Sequence, residues 1–295
     1  MKDHSKMAAA FIVIAGCFWG IIGLFSSRLA GSGFSSPEIT FIRNTVASVG
    51  MLTYLFFFKK DQIKIHLKDL WIFFGTGVVS IVFFNVMYFI TIELATLSVA
   101  AILLYTAPCF VMIMSVLFFH ESFTKKKALA LLLAFSGCVF TTGIVDSLFG
   151  SGAGVHVTGL GILTGIASGF GYALYSIFGN VALKKYSTET VTTWTFIVAA
   201  LFLVPFCLRG SFLIKFTGVK EIGNALGIGI IATLCPFIFY TEGLKYTEPG
   251  KASIMAFVEP MVACLVSFLI LHEPMSLTGI VGIILIFLSV VILNV

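Results

Sequence analysis

The chain repeats itself at a constant offset of 152 residues. Apolar residues match by chance in so hydrophobic a sequence, but the rarer features that recur here do not. They comprise two Gly-x-Gly motifs, two prolines and two His-Glu dipeptides: Gly75/Gly227, Gly77/Gly229, Pro108/Pro260, His120/His272 and Glu121/Glu273. The sequence therefore predicts two copies of one structural unit, residues 1–150 and 151–295. The Gly- and Ser-rich stretch from Asp146 to Gly159 is the predicted joint between them.

The composition indicates that this unit is built for a membrane. Hydrophobic residues make up 59% of the chain and charged residues 11%, with a mean hydropathy of +1.10. Too little polar surface remains to cover a water-soluble protein, whereas long apolar runs suit a hydrocarbon layer of about 30 Å. Ten such runs are predicted as transmembrane helices, at 8–27, 37–58, 70–90, 98–119, 128–145, 159–180, 190–208, 221–242, 251–271 and 277–294.

The number of helices in each unit fixes how the two units are related. Ten helices divide into five and five, and a five-helix unit ends on the opposite side of the membrane from where it begins. The second copy must then be inserted upside down, so the predicted fold is an all-α membrane protein of two inverted five-helix repeats. This arrangement is typical of secondary transporters.

The basic residues orient the array. With the N-terminus in the cytoplasm, the inner segments carry thirteen lysines and the outer segments carry four basic residues, Arg28, Arg209, Lys215 and Lys220. Cytoplasmic loops are enriched in Lys and Arg, so both termini are predicted to be cytoplasmic, in a cell inner or plasma membrane. The positive charge is thus a topology signal and a contact with anionic lipid, and it does not indicate nucleic-acid binding.

Glu259 is the sharpest functional signal in the sequence. A carboxylate halfway through an apolar helix costs at least about 2.5 kcal/mol to insert, so it must be paired, protonated or hydrated. Its equivalent in the first repeat is Ala107. This asymmetry favours a role in substrate binding or proton coupling, and a buried structural hydrogen bond is the alternative.

Three further residues are predicted to have structural or gating roles. Arg43, equivalent to Thr195, is the second charge inside a predicted helix, and snorkelling to the surface or pairing with Glu38 is the alternative. Pro108 and Pro260 each remove a backbone donor at mid-helix, which is expected to free the carbonyls of Leu104 and Ala256 toward the centre of the bundle. A simple kink without ligand contact is the alternative for both prolines.

Aromatic and polar side chains gather at the same level of the predicted helices as Glu259. Aromatic walls with a few polar tips suit an organic solute better than a bare ion. The candidate substrate-binding residues are Trp19, Asn85, Tyr88, Tyr105, Tyr175, Tyr240 and Glu259; Tyr172 and Asn180 belong to the same group of aromatic and polar residues. The two His-Glu dipeptides fall at helix ends, where capping is the expected role.

The sequence lacks the motifs of several classes of enzyme and of metal sites. The sequence has no phosphate-binding G-x-x-x-x-G-K-[ST] loop, no H-E-x-x-H and no G-x-S-x-G, and its six cysteines are scattered without metal-ligand spacing. We therefore expect no enzyme activity, no cofactor and no metal site. Transport against a gradient would need an ion gradient or exchange.

Together these motifs resemble the EamA-type branch of the drug/metabolite transporter superfamily. The likeness covers the whole chain and lies in Trp19-Gly20, Arg43, Pro108, His120-Glu121-Ser122, Glu259-Pro260 and His272-Glu273-Pro274. The resemblance implies a basket-like bundle around a central cavity lined by helices 1, 3, 4, 6, 8 and 9. It also implies export of small organic metabolites such as amino acids by alternating access, with a passive channel or facilitator as the alternative. Neither the oligomeric state nor the coupling ion follows from it.

Overall fold

The computed structural model describes residues 2–149, 158–207, 212–272 and 274–294, and these residues form helices without any strand. Three predicted features lie outside the described residues: the central part of the link between the repeats, Arg209 and Glu273. Ten long helices follow one another: α1 (Lys6–Gly31), α2 (Ser36–Phe58), α3 (Leu67–Leu94), α4 (Leu97–Phe119), α5 (Lys125–Thr141), α6 (Gly159–Leu183), α7 (Thr188–Cys207), α8 (Val219–Leu244), α9 (Pro249–Ile270) and α10 (Leu277–Asn294).

Nine of these helices have the length and hydropathy needed to cross a membrane. The remaining one, α5, has 17 residues, which span about 26 Å and so lie at the lower limit for a hydrocarbon layer. Threonines begin several helices by accepting a backbone N–H; Thr124, for example, accepts from Lys127. The helix α2 instead begins with a capping box between Ser35 and Glu38.

Irregularities of the helices repeat at the same 152-residue offset. Both α3 and α8 contain a π-helical segment, Gly75–Val82 and Gly227–Leu234. Both α4 and α9 are broken near the middle, into Leu97–Leu104 with Ala107–Phe119 and into Pro249–Met255 with Val258–Ile270. The histidines after these two helices share the same left-handed backbone, with φ of 56°. Such irregularities recurring in both halves confirm that the fold consists of two repeats.

Helix packing follows the same symmetry. The first helix of each repeat packs between two helices of the other repeat: α1 against α8 and α9, and α6 against α3 and α4. The helices α2 and α7 pack against each other, as do α5 and α10. Equivalent residues Tyr105 and Phe257 place their rings 5.9 Å apart, so the pseudo-two-fold axis passes between the broken centres of α4 and α9.

Ion pairs between turns show which turns lie together on each of the two opposite faces of the helix bundle. On one face, called here the lysine-rich face, Lys59 pairs with Glu189 and Lys185 pairs with Asp69 at 2.6 Å, which ties the α2–α3 turn to the α6–α7 turn. On the other face Lys215 pairs with Glu38 at 2.7 Å. Glu38 is therefore the partner of Lys215, and the pairing with Arg43 that the sequence allowed does not occur.

Candidate solute-binding site

A central cavity lies at the level of the helix breaks. Its walls come from α1, α3, α4, α6, α8 and α9, the six helices that the sequence resemblance implied. Trp19, Tyr175 and Tyr240, three of the candidate residues, line it together with Pro108. Aromatic rings form one wall: the ring of Phe237 lies 5.2 Å from that of Trp19 and 4.9 Å from that of Tyr175.

Two of the cavity tyrosines have hydroxyl groups that form hydrogen bonds between helices. The hydroxyl of Tyr175 lies 2.7 Å from Oγ1 of Thr241, and that of Tyr240 lies 2.7 Å from Oγ of Ser176. Both bonds join α6 to α8. The hydroxyl groups of these tyrosines consequently hold the wall together, and their rings border the cavity; solute contact stays a prediction.

Asn85 contributes to the backbone of α3. Its Nδ2 donates to the carbonyl of Ile81 at 2.7 Å, and its side chain is buried. This bond satisfies a carbonyl at the end of the π-helical segment, where the ordinary helical pairing changes. Solute contact by Asn85 stays a prediction, and bracing of α3 is the contact that the structure places there.

The two intramembrane charges lie within electrostatic range of each other. Arg43 on α2 and Glu259 on α9 attract each other electrostatically without an ion pair between them, and each is half-buried. Tyr88, Tyr105 and Tyr172 lie within the field of Glu259. Four predicted site residues, Arg43, Tyr88, Tyr105 and Glu259, are thus within electrostatic range of one another, and Tyr172 links them to the cavity wall. The region around these residues is called here the chamber.

Arg43 is held in place by the π-helical segment of α8. Its Nε donates to Oγ1 of Thr233 at 3.0 Å, and the Thr233 hydroxyl donates to the carbonyl of Ile228, five residues earlier, at 2.8 Å. Only one of the five guanidinium N–H groups is used in this bond. Sequence reasoning missed Thr233; its one signal is a hydroxyl residue inside a strongly apolar run.

Glu259 occupies the first turn of the second segment of α9, Val258–Ile270. A carboxylate is favoured there because the N-terminus of a helix carries partial positive charge. The carbonyl of Ala256 accepts the backbone N–H of Glu259 at 3.0 Å. The prediction that Pro260 leaves this carbonyl free was therefore wrong: the break tightens the turn, and the donor comes from one residue earlier.

Close contact between α1 and α9 positions this turn. A Cβ atom on Gly20 would lie 2.9 Å from the carbonyl oxygen of Glu259 and 2.7 Å from Cβ of Val262. Any side chain at position 20 would push the two helices apart. The next residue back, Trp19, then reaches Tyr172 across the chamber at 6.5 Å between rings. Tyr172 was noted only as a neighbour of the candidates, yet it also packs on Phe84 at 5.2 Å and lines the cavity.

Comparison with known proteins places this architecture in a family. The model of the EamA-like transporter family matches residues 6–143 and again residues 159–295. An uncharacterized transporter of Archaeoglobus fulgidus is 29% identical over 280 residues, covering 94% of this chain and 92% of its own. The uncharacterized inner membrane transporter YicL of Salmonella typhimurium is 25% identical, covering 96% and 93%.

A solved crystal structure shares the fold. It superposes with a TM-score of 0.78 over 97% of this chain and 96% of its own, at 17% sequence identity. At that identity the likeness concerns the fold alone. The two family matches, one to each half, fit the two-repeat architecture and cover nearly all of the sequence. The chain belongs to the EamA-like transporter family.

Proposed function

We propose that this transporter is a secondary carrier that exports amino acids or related metabolites by alternating access. The observation that carries the proposal concerns Arg43 and Glu259. These opposite charges lie within electrostatic range of each other, close to several tyrosines, and do not form an ion pair. A solute with both a carboxylate and an ammonium group neutralises both charges at once. A solute with only one of these groups leaves a mid-membrane charge without a partner, which is costly.

Each end of such a solute has a suitable receptor. The guanidinium of Arg43 is held through Nε, so its terminal nitrogens can take a carboxylate in the bidentate geometry that arginine favours. Glu259 would take the ammonium group, and nearby tyrosine rings stabilise cations above their faces. The apolar wall around Trp19 and Phe237 would then receive the side chain of the solute.

Burial along α9 supports a carrier with one closed side. Residues 252–258, between the lysine-rich face and the chamber, are all buried, whereas Pro260 alone is buried among residues 259–271. In α1 likewise, Trp19 and Gly20 are buried, and 21–28 are half-buried or exposed. The buried segment of α9 thus closes the chamber toward the lysine-rich face, as expected for one state of a carrier.

The excess of lysines on one face supports a cytoplasmic location for that face and for both termini. The relative from Salmonella carries the name of an inner membrane transporter, which agrees with an inner-membrane location. Residues 1–150 and 151–295 would be the two inverted units. Reporter fusions test the orientation: a reporter after Lys126 should be active as a cytoplasmic fusion and one at residue 152 as an external fusion. A cytoplasmic reporter at residue 152 would contradict the inverted arrangement.

Thermal stabilisation of the purified protein tests the solute class, because a ligand that binds the folded state raises its unfolding temperature. The matched series is an amino acid, its amide without the carboxylate, and its deaminated acid. The intact amino acid should stabilise most. Glu259→Gln should remove the preference for the amine and Arg43→Gln the preference for the carboxylate. Equal stabilisation by all three compounds would contradict a zwitterionic solute.

Counterflow separates the carrier from a passive channel. Proteoliposomes loaded with unlabelled solute should accumulate labelled solute transiently above its external concentration, which a channel cannot do. Proton coupling at Glu259 would add solute-dependent proton movement in wild-type vesicles that is absent in Glu259→Gln. Simple equilibration without counterflow would favour the channel.

A further inference from the structure

A buried ion cluster joins the two repeats at the lysine-rich face. The ammonium group of Lys127, at the start of α5, contacts Oε2 of Glu121 at 3.3 Å and Oε2 of Glu248 at 2.5 Å, and it donates to the carbonyl of Ser122 at 3.0 Å. The side chains of Lys127 and Glu121 are 9% and 5% exposed, against 51% for Glu248. Burial raises the pKa of Glu121 above its ordinary value, and Lys127 opposes that rise.

The cluster pins the beginning of α9. Glu121 and Lys127 belong to the first repeat, whereas Glu248 directly precedes α9 in the second. The backbone N–H of Gly250, in the first turn of α9, also favours the charged form of the Glu121 carboxyl. A Cβ atom on Gly250 would lie 2.8 Å from Oε2 of Glu121 and 3.0 Å from Sδ of Met112, so the contact is tight. The helix segment held in this way is the one whose buried residues seal the chamber.

On the opposite face, two of the three equivalent positions are uncharged, and the third, Glu273, lies outside the described residues. At the 152-residue offset Thr96 stands where the second repeat has Glu248, and Gly279 stands where the first has Lys127. Neither residue can form an ion pair. Oγ1 of Thr96 accepts the N–H of Val99, and the N–H of Gly279 bonds Oγ of Ser276. These bonds stay within one turn of the same repeat, so they do not hold the two repeats together.

We propose that Lys127 is the latch of the lysine-rich entrance: its bridge between Glu121 and Glu248 keeps this side closed in the empty carrier, and the bridge must break before α9 can swing away. The proposal rests on the alternating access proposed above. It adds that the start of α9 is held by an ion bridge to the first repeat, whereas the equivalent start of α4 has the uncharged Thr96 at the position of Glu248.

The direction of the effect follows from the charges. Removing Lys127 leaves two carboxylates facing each other in the closed state, with Glu121 buried and no longer neutralised, whereas the open state exposes both to water. Lys127→Met should therefore shift the population toward the open state. Glu248→Gln leaves the pair of Lys127 and Glu121 intact, so it should shift the population the same way by a smaller amount.

Accessibility of a cysteine beneath the latch measures this population. Ser253 lies in the sealed half of α9, is 7% exposed and lines the cavity, so Ser253→Cys in a chain whose six native cysteines are replaced reports opening. A small membrane-impermeant thiol reagent is applied to inside-out and right-side-out vesicles. Lys127→Met should speed the reaction from the lysine-rich face about tenfold and slow it from the opposite face. Lys127→Arg should keep the parent rates, as should the matched control Lys126→Met on the exposed neighbour.

Each outcome bears on the proposal. If Lys127→Met and the half-exposed Glu248→Gln both leave the two rates unchanged while the parent reacts from one side only, the latch is overturned and alternating access stands. If the parent already reacts equally from both faces, alternating access is overturned and the latch with it. Reciprocal changes in the two rates, graded from Lys127→Met to Glu248→Gln, support the latch independently of which solute is carried.

Discussion

The two sides of the central chamber have equivalent backbones, but one side carries charged side chains and the other uncharged ones. On one side α2 and α9 present Arg43 and Glu259; on the equivalent side α7 and α4 present Thr195 and Ala107. Thr195 is fully buried and lies 2.6 Å from the hydroxyl of Thr76, and Ala107 is 1% exposed. The two sides therefore share one backbone arrangement, and only one of them carries charged side chains. Under the proposed function, the solute would contact those charges.

This difference bears on how a solute would be held during transport. A chamber with equivalent charges on both sides would present two alternative orientations of equal energy. With one cation and one anion, each on its own helix, a zwitterion keeps one orientation relative to α2 and α9 whichever face is open.

Glu259→Gln should have the largest effect. Replacing the charged partner of a buried ammonium group costs a few kcal/mol, so solute exchange in proteoliposomes should fall on the order of a hundredfold, with the unfolding temperature in the absence of solute nearly unchanged. The matched control is Glu93→Gln, an exposed carboxylate on α3, which should exchange like the wild type. Normal exchange in Glu259→Gln would remove the main support for the site.

Transferring the carboxylate to the equivalent position should not restore activity. The double variant Ala107→Glu with Glu259→Gln should remain as inactive as Glu259→Gln alone, because the new carboxylate would lie opposite Thr195 instead of Arg43. Exchange assays with equal amounts of inserted protein make the comparison. Recovery of exchange would show that the asymmetry of the chamber is dispensable.

Arg43→Gln should raise the KM for an amino acid about thirtyfold, since a hydrogen bond to a charged group contributes about 1.5–3 kcal/mol. The KM of Arg43→Lys should lie between those of the wild type and Arg43→Gln, because lysine keeps the charge but loses the bidentate geometry. The exposed arginine of α1 provides the control, and Arg28→Gln should leave the KM unaltered. Equal KM values in the glutamine and wild-type proteins would reduce Arg43 to a structural residue.

The smallest effects are expected from two variants, each of which removes one threonine hydroxyl, one on each side of the chamber. Thr233→Val removes the acceptor that holds Arg43, and we expect the KM to rise about fivefold, the equivalent of about 1 kcal/mol. Thr195→Val removes the bond to Thr76 and should lower the free energy of unfolding by about 1 kcal/mol without changing the KM. Steady-state kinetics and denaturation of the two variants separate the roles, and a shared change in KM would contradict the division.

Large features of this fold could be predicted from sequence and fine ones could not. The repeat and the sequence of helices follow from spacing and hydropathy, because the membrane constrains length and polarity. The role of Glu259 stays a prediction from its position within an apolar helix. The partners of Arg43 and Glu38 do not follow, because these helices are apolar on nearly every face and the sequence leaves their rotation open. The π-helical segments also escaped prediction; their glycines are visible in the sequence, but the change in hydrogen bonding depends on the packed neighbours.

The hydrogen bonds that hold Arg43 run in one direction only. The hydroxyl proton of Thr233 is committed to the carbonyl of Ile228, so this hydroxyl can only accept from Arg43. A proton relay needs groups that take up one proton as they release another, and an arginine side chain does not lose its proton in proteins. The two hydrogen bonds from Arg43 through Thr233 therefore end at a backbone carbonyl of α8 and cannot pass a proton on. The proton coupling proposed for Glu259, the only carboxylate in the described part of α9, would therefore not pass through Arg43 and Thr233.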